Sequence, residues 1–560
     1  MVRHSEAKQV AGKGSRTRIP SLLLLLAAAA ALIVAVWPKA EVRSELLPAG
    51  TEALSAGQLG AQYFYGEDFG GLSRHTLDSH AVPWRLTAAA LVLTARDANP
   101  RIAADGATLN RILAGFGFLF PSEIANWPAG TARPGTTLPL GMTYGRLGLA
   151  PGLGVTVANL GCASCHSGPA YDSAGRPRLG RAWLGMPNSS LDLEAYTGAL
   201  YHALRATAGR PAELMATVDA LFPEIGAAER FALRRLVLPR VRARLKELEP
   251  LGRASPFPNG SPGNTNGVAA LKHGLGLPLV GGGKGETGIT SIPDLGHRTW
   301  RTSLLYDGSY AVPGRPRTAP MREKDVTPAH LASLAAIMTF FTVPSMGVAP
   351  ERALAGGERA EAVMAFLHRY RPQPFPGPVD AAAARRGQAV YGRHCAACHG
   401  TYDGHTERPR LVSFPNWIGD PGTDPDRRRV FNSALVAAVA AGPYRDRIAA
   451  WATGRYAAPP LTGLWASAPY LHNGSVPTIA ALLEPASRPQ RFLVGGHALD
   501  FERLGIAIVA GGGYPAGYRP WSRPAWTDVR AAGRSNAGHL HGAGLRPEER
   551  SALIEFLKLL

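Results

Sequence analysis

Hydrophobic and polar positions fall into short, sharply punctuated blocks along this chain, and the first block differs from all later ones. From Ile19 to Trp37 there is no charge, and the stretch contains Leu22 to Leu26 and Ala27 to Ala31. Arg3, Lys8, Lys13, Arg16 and Arg18 precede it, giving the basic n-region and apolar core of an export signal. The run approaches the ~20 residues that cross a bilayer, and the positive charge before it holds that end in the cytoplasm. Its small-residue exit, Pro38-Lys39-Ala40, is a poor cleavage site. Residues 1–40 are therefore expected to act as an N-terminal membrane anchor or signal. An uncleaved segment puts the body on the periplasmic side of the cytoplasmic membrane, and a cleaved one leaves it periplasmic or secreted.

Downstream, the pattern is that of compact helices between long loops. Helical spacing predicts elements over 83–98, 102–118 and 211–248. Another helix should start at Thr327 as N-cap with Pro328 at its first position, placing Leu331, Leu334, Ile337 and Met338 on one face. A helix from Asp380 carries Gly387 and Tyr391 one turn apart. The last, over 547–560, presents Leu553, Phe556, Leu557 and Leu560 as a stripe. Gly387 has no side chain, so these two helices can cross closely. Gly and Pro number 65 and 47, which supplies the loop punctuation and argues against a coiled coil. Four prolines between Arg371 and Pro378 read as a linker. The expected division is an extension at 41–155, one unit at 156–370, a linker at 371–379 and a second unit at 380–560.

Composition narrows the class. At 560 residues, 46% hydrophobic and 18% charged, the chain is long enough for more than one core and is not disordered. Its net charge of +19 comes from scattered Arg with no stripe interleaved with aromatics, which excludes nucleic acid as the expected partner.

The cysteines carry the chemistry. All four lie in two pairs, each followed at once by His: Cys162-Ala-Ser-Cys165-His166 and Cys395-Ala-Ala-Cys398-His399. Two thiols one helical turn apart can add to the two vinyl groups of haem, and the adjacent imidazole can reach its iron. A redox disulfide needs no His after each pair. A zinc site would leave both His unexplained. The chain is thus expected to hold two covalent haem c groups, on Cys162, Cys165 and His166 and on Cys395, Cys398 and His399, in two mainly α, cytochrome c-like domains. Ca²⁺ can accompany such groups, although no motif here supports it. No Met follows Met364, so a strong sixth ligand within the second unit must be His: His405, His472, His497, His539 or His541. His405 lies too near His399 to pass over the ring. For the first haem, Met186 is either a ligand or a core residue.

Two further segments carry a resemblance. "SIPDLGHRTWRTSLLYDGSY" (291–310) and "PPLTGLWASAPYLHNGSVPTIAALL" (459–483) resemble the bacterial di-haem cytochrome c peroxidase superfamily. The Tyr-Leu-His-Asn-Gly-Ser form, Arg488-Pro489 and the tail "SNAGHLHG" are similar to its rubber-oxygenase-like branch. The resemblance covers roughly 155–560. It implies His539 as the sixth ligand of the second haem, with His472 near that haem but off the iron. It also implies an open first haem that meets O₂ or H₂O₂, the second haem transferring electrons, and an apolar unsaturated substrate. Trp300, Tyr306 and Tyr310 are then candidates for the distal wall of the first haem or for electron transfer, and His297 for a distal base or ligand. The electrons would come from a redox partner protein or a small-molecule reductant. The alternatives are a cytochrome c peroxidase and a membrane-tethered di-haem electron carrier.

Overall fold

The computed structural model describes residues 42–560 apart from 48–49, 51–52, 74–80 and 405–407. The expected anchor at 1–40 lies outside the described residues, as does His405.

The expected extension does not stand apart from the first unit. Helices Trp84–Ala98, Leu193–Thr207, Pro211–Leu221 and Leu238–Leu248 bury their apolar faces in one core with the ladder Met142–Ala150/Leu153–Leu160. The helix expected over 102–118 is shorter, Gly106–Gly115, because the Asp105 side chain caps it by accepting from Thr108 N at 2.8 Å. The one expected over 211–248 is broken after Leu221, where Pro223 and Gly226 interrupt it. It resumes at Ala227 and passes through a π-helical turn, Leu233–Val237, just ahead of Pro239. Proline lacks the N–H that a regular α-turn would use there.

A second core surrounds the helix Pro328–Ser345. It is capped as expected by Thr327, whose hydroxyl accepts from His330 N at 3.2 Å. The third core belongs to the C-terminal unit. Helix Ala381–His394 crosses Pro547–Leu557 at Gly387, where a Cβ would stand 1.9 Å from the Ala552 carbonyl oxygen.

The mainly α expectation describes the second unit better than the first. Two antiparallel ladders flank the first motif: Met142–Ala150/Leu153–Leu160 leads into it, and Ser167–Tyr171/Pro177–Leu184 follows it. The alternating run before Cys162 turns at Pro151-Gly152, with Gly152 at φ +71°.

The two units repeat one another. Tyr171-Asp172, Arg176-Pro177-Arg178-Leu179 and Pro187-Asn188 follow the first motif; Tyr402-Asp403, Arg408-Pro409-Arg410-Leu411 and Pro415-Asn416 follow the second. Further on, Pro293-Asp-Leu and Leu305-Tyr-Asp-Gly-Ser309 match Pro459-Pro-Leu and Leu471-His-Asn-Gly-Ser475. The backbones agree in their least common conformations. Left-handed residues occur at His297 and Gly463 (φ 53° and 70°), Leu305 and Leu471 (68° and 65°), and Gly308 and Gly474 (61° and 64°). The loops also cross reciprocally: Ser291 N donates to His472 O at 2.7 Å, and Ala457 N donates to Tyr306 O at 2.8 Å. The two segments are therefore related by a pseudo-two-fold axis between the motifs.

Candidate functional site

Each CxxCH motif is a single helical turn. His166 N donates to Cys162 O and His399 N to Cys395 O, both at 3.0 Å, which brings the two thiols and the imidazole of each motif together. Both imidazoles are then fixed in the same way by the repeated loop. His166 Nδ1 lies 3.1 Å from Pro293 O and His399 Nδ1 lies 2.8 Å from Pro459 O. A carbonyl only accepts, so Nδ1 carries the hydrogen and Nε2 keeps its lone pair for a metal. Burial lowers the pKa of His166 to about 4 and also lowers that of His399, so both are neutral at pH 7, as a ligand must be. Burial pushes the Cys162 and Cys165 thiols up to about 12 and Cys395 to about 11. All four are free, and among the described residues no cluster of His, Cys, Asp and Glu could hold a metal ion alone.

At the second motif a cavity of about 220 Å³ opens beside Cys395, Cys398 and His399. His539 faces His399 across it, with ring centroids 6.2 Å apart. A metal–imidazole bond of about 2 Å on each side, plus ~1.1 Å from ring nitrogen to ring centre, gives about 6 Å, so the spacing matches what one metal ion held between two imidazoles would require. Trp417, Tyr456, Leu553 and Leu557 add apolar walls, and Arg298 brings one positive charge to the lining. The residues fit a flat, carboxylate-bearing macrocycle tethered by two thiols.

The other histidine candidates are placed differently. His472 is stacked on Tyr456 at 4.3 Å, and its Nε2 lies 3.1 Å from Tyr456 Oη. His497 is buried away from this cavity, with Nδ1 accepting from Gly495 N at 3.2 Å. His541 stands 5.5 Å from His539 and is exposed.

At the first motif Cys162, Cys165 and His166 are each half-buried. Among the described residues no second imidazole stacks or faces His166 as His539 faces His399. Met186 is 1% exposed, in the same hydrophobic cluster as Tyr171 and Trp300.

The segment expected over the open face of the first haem lies elsewhere. Because Pro293 O holds Nδ1, the nitrogen pointing away from the metal, the chain from 291 onward runs behind His166. Tyr306 lines the second cavity and bonds Ser291 Oγ at 2.9 Å. His297 Nδ1 meets Thr462 Oγ1 at 2.5 Å, with Trp300 against its edge at 5.5 Å, and both border a surface groove. Tyr310 is fully buried between Phe340 and Phe431 and lines neither site.

Two carboxyls escaped sequence reasoning. Asp68, pushed up to about 7 by burial and by Glu67, is close enough for its charge to raise the Cys162 thiol. Asp294 is likewise pushed up to about 7 by burial and accepts from Tyr370 Oη at 2.9 Å. Nothing local marks Asp68, which lies far from the motif in sequence. Asp294 adjoins the proline that anchors His166.

Comparison with known proteins locates the family signal in the C-terminal unit. A family model described as RoxA-like, cytochrome c-like, matches residues 454–493, and one described as cytochrome c oxidase, cbb3-type, subunit III, matches 382–460. The chain is also similar to two uncharacterised proteins of Sinorhizobium fredii. It is 36% identical to y4iM over 171 residues (26% of this chain, 38% of the relative). It is 31% identical to y4iJ over 258 residues (34% of this chain, 41% of the relative). The chain thus spans about two-fifths of the length of the curated relatives it matches. The matched part contains Cys395, Cys398, His399 and the Pro459 anchor, so the C-terminal unit of this protein is a cytochrome c-like domain, a type that carries covalently bound haem c.

Proposed function

We propose that the protein is a di-haem c-type oxidoreductase in which the Cys162/Cys165 haem meets O₂ or peroxide and the Cys395/Cys398 haem transfers electrons to it. The observation that carries this reading is an asymmetry. Both proximal histidines have the same Nδ1 anchor, yet among the described residues only His399 is faced by another imidazole at iron-spanning distance. A filled sixth position suits electron transfer, and an open one admits a small ligand; that redox and oxygen chemistry is what bound haem supplies.

The chain's own residues do the rest. Pro293 O and Pro459 O fix the imidazole tautomers. Arg298, whose Nε donates to Asp294 O at 2.9 Å, brings positive charge to the carboxylate edge of a macrocycle in the second cavity. Ser291, Ile292 and Pro293 line that cavity while Pro293 also holds His166, so one short segment touches both sites. The substrate class we favour is an apolar unsaturated compound, with electrons from a redox protein or small reductant at the periplasmic face of the membrane. Asp68 supports a second reading, a peroxidase, since a carboxyl with a pKa near 7 beside the first site can hand a proton to a peroxide oxygen.

The test is CO binding to the reduced full-length protein. One CO per chain is expected, lost in the Cys162→Ala/Cys165→Ala variant. No CO in the wild type and one in Met186→Ala would make the protein an electron carrier. A Tyr306→Phe or Asp68→Asn variant then separates the chemistries: only peroxide turnover should depend on Asp68.

A further inference from the structure

His539 differs from the two proximal histidines in how it is held. Its Nδ1 is buried without a hydrogen-bond partner, whereas His166 and His399 each rest on a proline carbonyl. Its backbone is left-handed at φ +48°, an uncommon conformation for a residue with a side chain. The preceding Gly538 lies so close to Gly422 that a Cβ would stand 2.2 Å from the Gly422 carbonyl. The position of this imidazole is therefore set by the backbone on which it stands. His539 N donates to Pro421 O at 2.7 Å, Asn536 Nδ2 to Pro489 O at 3.2 Å and Ala537 N to Ser535 Oγ at 3.2 Å, and three further bonds to the segment 536–539 come from one side chain.

That side chain is Arg488. Nη1 donates to Asn536 O at 2.5 Å and Gly538 O at 2.9 Å, and Nη2 reaches His539 O at 3.4 Å. On its other side Nη2 donates to Leu482 O at 2.9 Å and Nε to Ala481 O at 3.3 Å, carbonyls at the end of the helix Ile479–Leu483. Among the described residues no carboxylate pairs with it, and burial lowers its pKa. A guanidinium held by five carbonyls serves as a five-way staple: its planar fork suits several acceptors at once, which an ammonium cannot match. The helix supplies the fixed side, because Leu482 and Leu483 also wall the cavity.

We propose that Arg488 is a positioning residue that keeps His539 on the iron of the second haem, by stapling the ligand-bearing segment to the wall of the same cavity. This rests on His539 being the sixth ligand. Without the staple, the bond from His539 N to Pro421 O is left as the direct hold on the strained backbone that aims the imidazole. The second haem then spends part of its time five-coordinate and open to added ligands.

The experiment compares full-length, haem-loaded wild type with Arg488→Ala, Arg488→Lys and His539→Ala. The readouts are the low-spin fraction by visible and EPR spectroscopy and the number of CO bound per reduced chain. In Arg488→Ala we expect partial loss of the low-spin signal, CO binding at a second haem, and return to low spin with added imidazole. Arg488→Lys keeps the charge with fewer donors. It should bind CO at the second haem several-fold faster than wild type and more slowly than Arg488→Ala, and it decides the matter should Arg488→Ala not fold. If His539→Ala changes both readouts while both Arg488 variants match wild type, the positioning role is overturned. If His539→Ala itself changes nothing, the ligand assignment has failed and the proposal falls with it.

Discussion

The crossing of the two helices that frame the second motif can be tested at Gly387. Replacing it with Ala puts a methyl carbon 1.9 Å from Ala552 O, 2.5 Å from Ala552 C and 3.0 Å from Leu553 Cα. Ordinary contact begins near 3.4 Å, and the atoms struck are backbone, so no side chain can turn away. The helices Ala381–His394 and Pro547–Leu557 must part by about 1.5 Å, which loosens Tyr391 against Phe556 (centroids 5.2 Å) and the packing of Leu553 and Leu557. Overpacking costs about 1–3 kcal/mol, and a backbone clash places this case near 3. Gly→Ala in a helix interior returns about 1 kcal/mol. The net loss of ~2 kcal/mol lowers the melting midpoint of a unit this size by roughly 4–8 °C. The same helix delivers Cys395, so haem incorporation at the second motif should also fall. Thermal melts of the full chain, followed by far-UV circular dichroism and Soret absorbance, give both quantities. A Gly387→Ala protein melting at or above wild type would mean that the two helices do not meet there, and the account of how the motif is seated would be wrong.

Two further outcomes follow from the sites. A pyridine-haemochrome assay should find two haems per chain, one after Cys162→Ala/Cys165→Ala and one after Cys395→Ala/Cys398→Ala; a wild type with a single haem would sink the di-haem reading. Stability should also peak near pH 6.5. Burial depresses His297, His472 and His539 to about 3 and His166 and His497 to about 4, so below 6.5 the unfolded chain takes up protons that the folded one refuses, and stability falls on acidification. Asp68 and Asp294, raised to about 7, act oppositely: the folded state keeps two protons that the unfolded chain releases above 3.8. Between about pH 4 and 6.5 each such histidine steepens the limb by up to about 1.4 kcal/mol per pH unit. His497→Gln should flatten that limb in urea titrations at stepped pH, and an unchanged slope would show that His497 titrates normally.

What could be read from the sequence divides along physical lines. Thr327, Gly387 and the stripe ending at Leu560 were legible because capping, close crossing and helical burial each demand a residue type at a fixed spacing. The CxxCH motifs were legible for the same reason. The anchors of His166 and His399 were not, because the groups that hold them are backbone carbonyls, which every residue has. The ladder leading into Cys162 left a trace, an alternating run turning at Pro151-Gly152, that a search tuned to helices passes over. The placement of the aromatic segment after Pro293, expected on the distal side of the first haem or on an electron path, is not legible in the sequence for a related reason. Composition shows that Trp300, Tyr306 and Tyr310 can form a wall, but only the bond from His166 Nδ1 to Pro293 O shows on which side of the imidazole the segment lies.

The repeat shows how two CxxCH motifs of the same form can sit in different surroundings. Up to Ser309 and Ser475 the halves match in motif, anchor and left-handed turns, so everything on the proximal side of each imidazole is nearly the same. After that point they diverge. The first half enters the helix Pro328–Ser345, which is spent on core packing beneath Tyr310. The second half turns through Arg488 and returns as the segment 536–539, bringing His539 opposite His399. A difference in reactivity between the two sites therefore has to arise on the distal side. It comes from what each half does with the chain left over once the shared loop is complete.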